Sequence, residues 1–98
     1  MARQIIWTVS AQTERREILE YWVKRNKSKT YSIKLNKLII TALREISKNP
    51  FIGRKTEIED VRVKIVRDYL IFYEISPKKI FVLSIWDGRR DPSTRLLQ

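Results

Sequence analysis

The sequence contains no cysteine and no histidine. Without cysteine the chain can form no disulfide, use no thiolate nucleophile and bind no zinc through sulfur, and a reducing cytoplasm is the expected compartment. Without histidine, Ser–His catalytic triads and most transition-metal sites are excluded. Any acid or base chemistry would have to use lysine, arginine, tyrosine, a hydroxyl or a carboxylate, and we expect neither a cofactor nor a metal.

Glycine and long apolar runs are also scarce. The chain has only Gly53 and Gly88, so it has no glycine-rich phosphate-binding loop. The apolar stretch from Ile5 to Val9 is too short for a signal peptide, and no segment is long enough to span a bilayer. We therefore expect a cytoplasmic protein with no membrane partner.

Positive charge is what the sequence has in excess. Its 98 residues include 21 lysines and arginines against 11 acidic residues, which gives a net charge of +10. A hydrophobic content of 43% is normal for a folded protein, and the length fits a single domain over residues 1–98. A folded domain with this charge attracts nucleic acid, ribosomes or an acidic protein. A basic surface that serves solubility alone is the alternative.

Two helices are predicted in the first half of the chain, after a β-branched and aromatic strand at residues 5–9. Ser10 is a candidate N-cap for a first amphipathic helix over residues 11–26. A second helix begins near Thr30 and ends before Pro50, because the residue preceding a proline is disfavoured in helical geometry. Its apolar stripe comprises Tyr31, Leu35, Leu38, Ile39, Ala42, Leu43 and Ile46.

Three strands are predicted in the second half, at residues 61–65, 69–75 and 80–86. Residues 51–60 read as a loop, and its acidic residues Glu57, Glu59 and Asp60 indicate a charge-balancing segment rather than a metal site. The order β-α-α-β-β-β predicts an α+β fold in which a helical hairpin packs on one face of a small, mainly antiparallel sheet.

Five basic residues of this half form the candidate site. Strict alternation in the first of the three strands puts Arg62 and Lys64 on one face and the intervening apolar residues on the other, and we expect the basic face to lie opposite the helices. If the three strands are adjacent, all five residues would converge on a surface that binds phosphates or stabilises phosphoryl transfer. A solvated basic face is the alternative interpretation. The five residues are Arg62, Lys64, Arg67, Arg89 and Arg90.

Several segments together resemble toxins of the RelE/ParE family. They are VRVKIVRDYLIFYEI at residues 61–75, VLSIWDGRRDP at residues 82–92, Tyr21-Trp22 in the first helix and NPFIG at residues 49–53. The resemblance covers nearly the whole chain and implies a growth-inhibiting, plasmid-stabilising type of protein encoded beside an antitoxin. A net charge of +10 suits an acidic, partly disordered antitoxin that folds on binding.

The family divides into two mechanisms. RelE-like members cleave mRNA in the ribosomal A site, whereas ParE-like members act on DNA gyrase. For the nuclease branch, Arg62 and Lys64 match a basic-x-basic pair, and Arg89 or Arg90 matches an arginine after the last strand. The catalytic residues of such a metal-independent nuclease would be Lys64, Arg67 and Arg89, with Lys64 as the general base.

Two departures from the nuclease pattern favour the gyrase branch. Leu70 stands where the nucleases have a basic residue, and no tyrosine follows Tyr73. The long helical hairpin and the Asn-Pro…Gly junction also resemble ParE-like members. We therefore expect a toxin that acts on DNA gyrase. The first alternative is a ribosome-dependent mRNA endonuclease, and the second is a basic nucleic-acid-binding module without toxicity.

Overall fold

The computed structural model describes residues 2–89, in which two helices lie against a five-stranded sheet. The elements follow in the order β1 (Gln4–Trp7), α1 (Val9–Asn26), α2 (Thr30–Lys48), a 3-10 turn (Pro50–Ile52), β2 (Arg54–Lys55), β3 (Val61–Val66), β4 (Tyr69–Ile75) and β5 (Lys79–Asp87). Neither helix of this part is apolar enough over a sufficient length to cross a membrane.

The first helix begins two residues before the predicted start. Its N-cap is Thr8 rather than Ser10, because the Thr8 Oγ1 accepts a hydrogen bond from the backbone N–H of Ala11 at 3.1 Å. The same hydroxyl donates to the carbonyl oxygen of Val82 in β5 at 2.9 Å. One threonine side chain therefore both starts α1 and ties its N-terminus to the sheet.

The second helix carries the predicted apolar stripe. Five of its seven members are buried, and the other two, Tyr31 and Leu38, pack half-buried against the same core. Buried Ser32 donates a hydrogen bond to the carbonyl oxygen of Leu19 at 2.5 Å, which joins α2 to α1 in the hairpin. The helix ends at Lys48, immediately before Asn49-Pro50, as the proline predicts.

The sheet has the strand order β1-β5-β4-β3-β2, with β1 parallel to β5 and every other pair antiparallel. The predicted adjacency of the last three strands is confirmed. Strand β2 lies inside the segment predicted as loop, where Arg54 pairs with Val63 and Lys55 with Arg62. A two-residue strand is too short to show a periodicity in sequence.

The core lies between the sheet and the helical hairpin. Tyr69, Ile71 and Tyr73 of β4 are buried in one cluster with the stripe of α2 and with Ile80 and Val82 of β5. Alternate residues of the same strands point to the other face of the sheet. The predicted α+β architecture, with helices on one face of a mixed and mainly antiparallel sheet, is confirmed.

Candidate functional site

Arg62 and Lys64 lie on the face of the sheet that carries the helices. Arg62 pairs with Tyr73 and Lys64 with Ile71, both of which belong to the core under the helical hairpin. Directly paired residues of neighbouring antiparallel strands point to the same face. The predicted alternation is therefore present, but the expectation that these cations lie opposite the helices is wrong. β3 lies toward the edge of the sheet, so a basic side chain on this face still reaches solvent.

The Arg62 side chain is bonded to the segment that follows α2. Its Nη1 donates hydrogen bonds to the carbonyl oxygens of Phe51 at 3.2 Å and Gly53 at 2.8 Å. Its guanidinium carbon lies 5.0 Å from the centre of the Phe51 ring, within the range of a cation–π contact. Arg62 thus stabilises the junction between α2 and β2, and a phosphate would have to compete with these contacts.

Tyr73 holds the same junction from the core side. Its buried hydroxyl donates to the carbonyl oxygen of Pro50 at 2.6 Å and accepts from the backbone N–H of Gly53 at 3.0 Å. A Cβ at Gly53 would collide with the Tyr73 hydroxyl and would lie 2.9 Å from the carbonyl oxygen of Val63, so only glycine fits without a shift. Burial raises the pKa of Tyr73 above its usual range, and the N–H of Gly53 and the charge of Arg62 oppose that shift.

Lys64 is half-buried on β3, and its side chain forms no hydrogen bond or ion pair with any other residue between 2 and 89. It lies two residues from Arg62 on the same face, or roughly 6–7 Å along the strand. Of the two, Lys64 is the one whose charged group remains available to a ligand.

Arg67 and Arg89 lie near the C-terminal end of β3, whereas Arg62 lies near its N-terminal end. Exposed Arg67 has a left-handed backbone (φ 56°) in the turn between β3 and β4. The backbone N–H of Gly88 donates to the carbonyl oxygen of Asp68 at 2.6 Å, which brings the end of β5 to this turn. Arg62 and Arg67 are five residues apart on an extended strand, a separation of roughly 16 Å.

Arg89 is paired with a carboxylate. Its Nε and Nη2 donate to the two oxygens of Asp87 at 3.0 and 2.9 Å. Its guanidinium carbon also lies 5.6 Å from the centre of the Trp22 ring. The hydrogen bonds to Asp87 and then its charge raise the pKa of Arg89 above its already high usual value, so this residue is a cation throughout the biological pH range.

The five predicted site residues therefore do not form one cluster. Arg62 and Lys64 share a face of β3, Arg67 and Arg89 lie at the far end of that strand, and Arg90 is outside the described residues. In the described part of the chain no group of three or more carboxylates is arranged to hold a metal ion, and all four residues of the acidic segment 57–60 are exposed.

A groove between α1 and the end of β5 was not predicted. It encloses about 690 Å³ and is lined by Glu14, Glu17, Ile18, Tyr21, Tyr69, Ile85, Trp86, Asp87 and Arg89. Glu14 accepts hydrogen bonds from the backbone N–H of Ile85 at 3.1 Å and from the Ser84 hydroxyl at 3.0 Å. Glu14 and Ser84 stand far apart in sequence, and no motif links them.

Tyr69 is a buried residue in the lining of this groove. Only 3% of the residue is exposed, and its hydroxyl accepts a hydrogen bond from the indole Nε1–H of Trp22 at 2.7 Å. Burial and then the nearby charge of Asp87 raise the pKa of Tyr69, while the bond from Trp22 and the charge of Arg89 lower it. The net effect is a raised pKa, so this hydroxyl is protonated at neutral pH.

The architecture defines a class of protein, the small α+β domains with a helical hairpin on one face of a mixed sheet. The family model described as the ParE toxin of the type II toxin-antitoxin system, parDE, matches residues 5–92. The chain therefore belongs to the ParE toxin family of type II toxin–antitoxin systems. The resemblance to RelE/ParE toxins in the sequence is confirmed.

A solved structure has the same fold. A chain described as the chromosomal ParDE TA system from P. aeruginosa matches with a TM-score of 0.72 and 19% sequence identity, over 86% of this chain and 94% of that chain. At this identity the likeness concerns the fold alone. No curated protein matches the sequence at a significant level.

Proposed function

We propose that this ParE-family toxin inhibits growth by acting on DNA gyrase and that a cognate antitoxin neutralises it. The observation that favours gyrase over mRNA as the target is that the Arg62 side chain already has partners within the protein. Its guanidinium is bonded to the carbonyl oxygens of Phe51 and Gly53 and stacks on the Phe51 ring. A residue used in this way stabilises the fold and is poorly placed to bind a transferring phosphate.

The distribution of the other cations supports the same target. A metal-free RNA nuclease needs several cations around one phosphate, together with a base that accepts the proton of the 2′-hydroxyl. Here Arg89 is paired with Asp87, and Arg67 lies roughly 10 Å along the strand from Lys64. Leu70 and the absence of a tyrosine after Tyr73 remove two further groups of the nuclease pattern.

The cognate antitoxin is proposed to be acidic and partly disordered. A toxin with a net charge of +10 attracts such a chain at long range, and binding neutralises the repulsion among its own cations. We propose the cytoplasm as the site of action, without a membrane partner, and residues 1–98 as one functional domain. Lys64 and Arg67, together with Arg89 and Arg90, are proposed as target-binding cations.

Two reactions run in parallel test the target. Purified toxin is added to DNA gyrase with relaxed plasmid, and separately to a cell-free translation reaction in which mRNA 5′ ends are mapped by primer extension. We expect inhibited supercoiling or trapped gyrase–DNA cleavage complexes, together with intact mRNA. Heat-denatured toxin is the control in both reactions.

The opposite pattern would establish a different function. New mRNA ends that require translating ribosomes, with supercoiling unaffected, would show the ribosome-dependent endonuclease instead. In that case Lys64→Ala would abolish cleavage and leave the fold intact. Salt-sensitive binding of nucleic acid with neither activity would show a binding module without toxicity.

A further inference from the structure

We propose that the groove between α1 and the end of β5 binds an arginine side chain, together with its neighbouring main-chain carbonyl, from an extended segment of a different protein. The proposal does not depend on gyrase being the toxin's target. It rests on the charge of the groove, on one carboxylate that has no partner, and on one buried hydroxyl with an unused proton.

The charge of the groove is opposite to that of the whole protein. Among residues 2–89 its lining has three carboxylates, those of Glu14, Glu17 and Asp87, and one cation, Arg89. The rest of the chain is strongly basic, since the net charge is +10. A concave, low-dielectric site of one sign focuses its field on an approaching group of the other sign. The groove therefore selects a cationic side chain and disfavours a phosphate, although the remainder of the surface attracts phosphates.

One of the three carboxylates is available to a ligand. Glu14 already accepts hydrogen bonds from Ile85 and Ser84, and Asp87 is paired with Arg89. The carboxylate of exposed Glu17 has no hydrogen bond or ion pair to any other residue in the described part of the chain. A carboxylate accepts two parallel hydrogen bonds from a guanidinium, a geometry that an ammonium does not match.

Tyr21 supplies a surface on which the guanidinium can stack. It lines the groove one helical turn beyond Glu17, and 47% of it is exposed. Its ring meets the Trp22 ring edge-on, with 5.1 Å between the ring centres, so the neighbouring indole holds it in place. A guanidinium stacks on such an aromatic face better than an ammonium does.

The Tyr69 hydroxyl requires an acceptor. Tyr69 lines the groove, and only 3% of the residue is exposed. Its oxygen accepts a hydrogen bond from the Trp22 Nε1–H. Its own O–H has no acceptor among residues 2–89. A buried hydroxyl that can donate normally does so. A guanidinium has no acceptor atom, but the main-chain carbonyl oxygen of the same arginine is an acceptor. An arginine within a peptide can therefore donate to the Glu17 carboxylate and accept from the Tyr69 hydroxyl.

The test uses a minimal probe, N-acetyl-L-arginine N-methylamide, titrated into the full-length folded protein and followed by NMR. The reporters are the indole N–H of Trp22 and the backbone amide of Ile85. We expect saturable shifts with a dissociation constant on the order of 1 mM, which is typical of a ligand of this size. The neutral isostere N-acetyl-L-citrulline N-methylamide should bind at least about tenfold more weakly, because it lacks the charge.

Two variants and one control locate the site. Glu17→Gln should weaken binding about three- to tenfold, because it removes the charge without changing the shape. The matched control Glu20→Gln removes the same charge from the exposed surface of α1 outside the groove lining, and should leave the affinity unchanged. Tyr69→Phe should also weaken binding of the probe. Its circular dichroism spectrum and thermal midpoint are measured separately, because Trp22 loses an acceptor.

Several outcomes would overturn the proposal. One is the absence of saturable shifts at tens of millimolar probe in a protein shown to be folded. Equal binding of the citrulline isostere would show that the guanidinium is not recognised, and tighter binding of guanosine 5′-monophosphate at the same reporters would show a nucleotide site. Concentration-dependent dimerisation abolished by Glu17→Gln would assign the groove to a second copy of this chain rather than to a different protein.

Discussion

Replacing Tyr73 with phenylalanine removes one oxygen atom and keeps the aromatic ring in the core. That oxygen donates to the carbonyl of Pro50 and accepts from the N–H of Gly53, and all three residues are buried. Without it both backbone groups lose their partner in a place that water does not reach freely. An unsatisfied buried polar group costs about 1–3 kcal/mol. Arg62 still donates to the Gly53 carbonyl and keeps this segment in place, so the two losses should not add in full. We expect the free energy of unfolding to fall by about 2–4 kcal/mol.

The assay is urea denaturation at neutral pH, followed by far-ultraviolet circular dichroism and tryptophan fluorescence. The midpoint should decrease while the slope stays unchanged, because the surface exposed on unfolding is nearly the same. For a domain of this size each kcal/mol corresponds to about 4–8 °C, so a loss of about 2–4 kcal/mol should lower the thermal midpoint by about 8–32 °C.

Tyr31→Phe is the matched control. Tyr31 is a half-buried tyrosine packed against the core, and its hydroxyl has no hydrogen bond to any other described residue. Its replacement should change the free energy of unfolding by less than about 0.5 kcal/mol. The reasoning is refuted if Tyr73→Phe is no more destabilising than Tyr31→Phe, because the hydroxyl would then contribute nothing to the junction.

Two further predictions concern the pH dependence of stability and the hydrogen bond between Glu14 and Ile85 of β5. Tyr69 and Tyr73 have pKa values raised above the usual 10.0, so folded and unfolded states are equally protonated below about pH 10, and above it the unfolded state alone loses protons. Stability should fall as pH rises past about 10, by up to about 1.4 kcal/mol per pH unit for each tyrosine, and urea midpoints should fall less steeply in Tyr73→Phe. Glu14→Ala should destabilise the fold by about 1–3 kcal/mol and speed hydrogen exchange of the Ile85 amide, whereas Glu20→Ala should do neither; equal exchange rates in both variants would contradict the role of Glu14.

Much of the fold could be predicted because its signals are local and repeated. The stripe of α2 repeats over about four turns, and the proline that ends the helix acts on its immediate neighbour. The strands of the second half are long enough to show alternation or continuous burial. Their adjacency follows from the short turns between them.

The candidate site was predicted less completely, for a geometric reason. Alternation shows that Arg62 and Lys64 share a face, but it does not show which face meets the helices. Which face meets the helices depends on Tyr73 and Ile71, the pairing partners in β4. The sequence of β4 is apolar on both of its faces and so does not identify the buried one. The structural role of Arg62 depends on a segment eleven residues away, and the link between Glu14 and β5 spans most of the chain.

The pairing of β1 with β5 has a consequence for the synthesis of the protein. Within the described residues Gln4–Trp7 pairs with Lys79–Val82 and with no other strand, so the first strand joins this sheet after β5 has been made. At about 5–20 residues per second, ribosomes need several seconds to pass from one to the other. Until β5 has been made, the apolar stripe of α2 has only an incomplete sheet against which to pack. Contacts of such long range also slow folding itself. The nascent chain therefore has a short period in which it is translated but cannot yet assemble as a toxin.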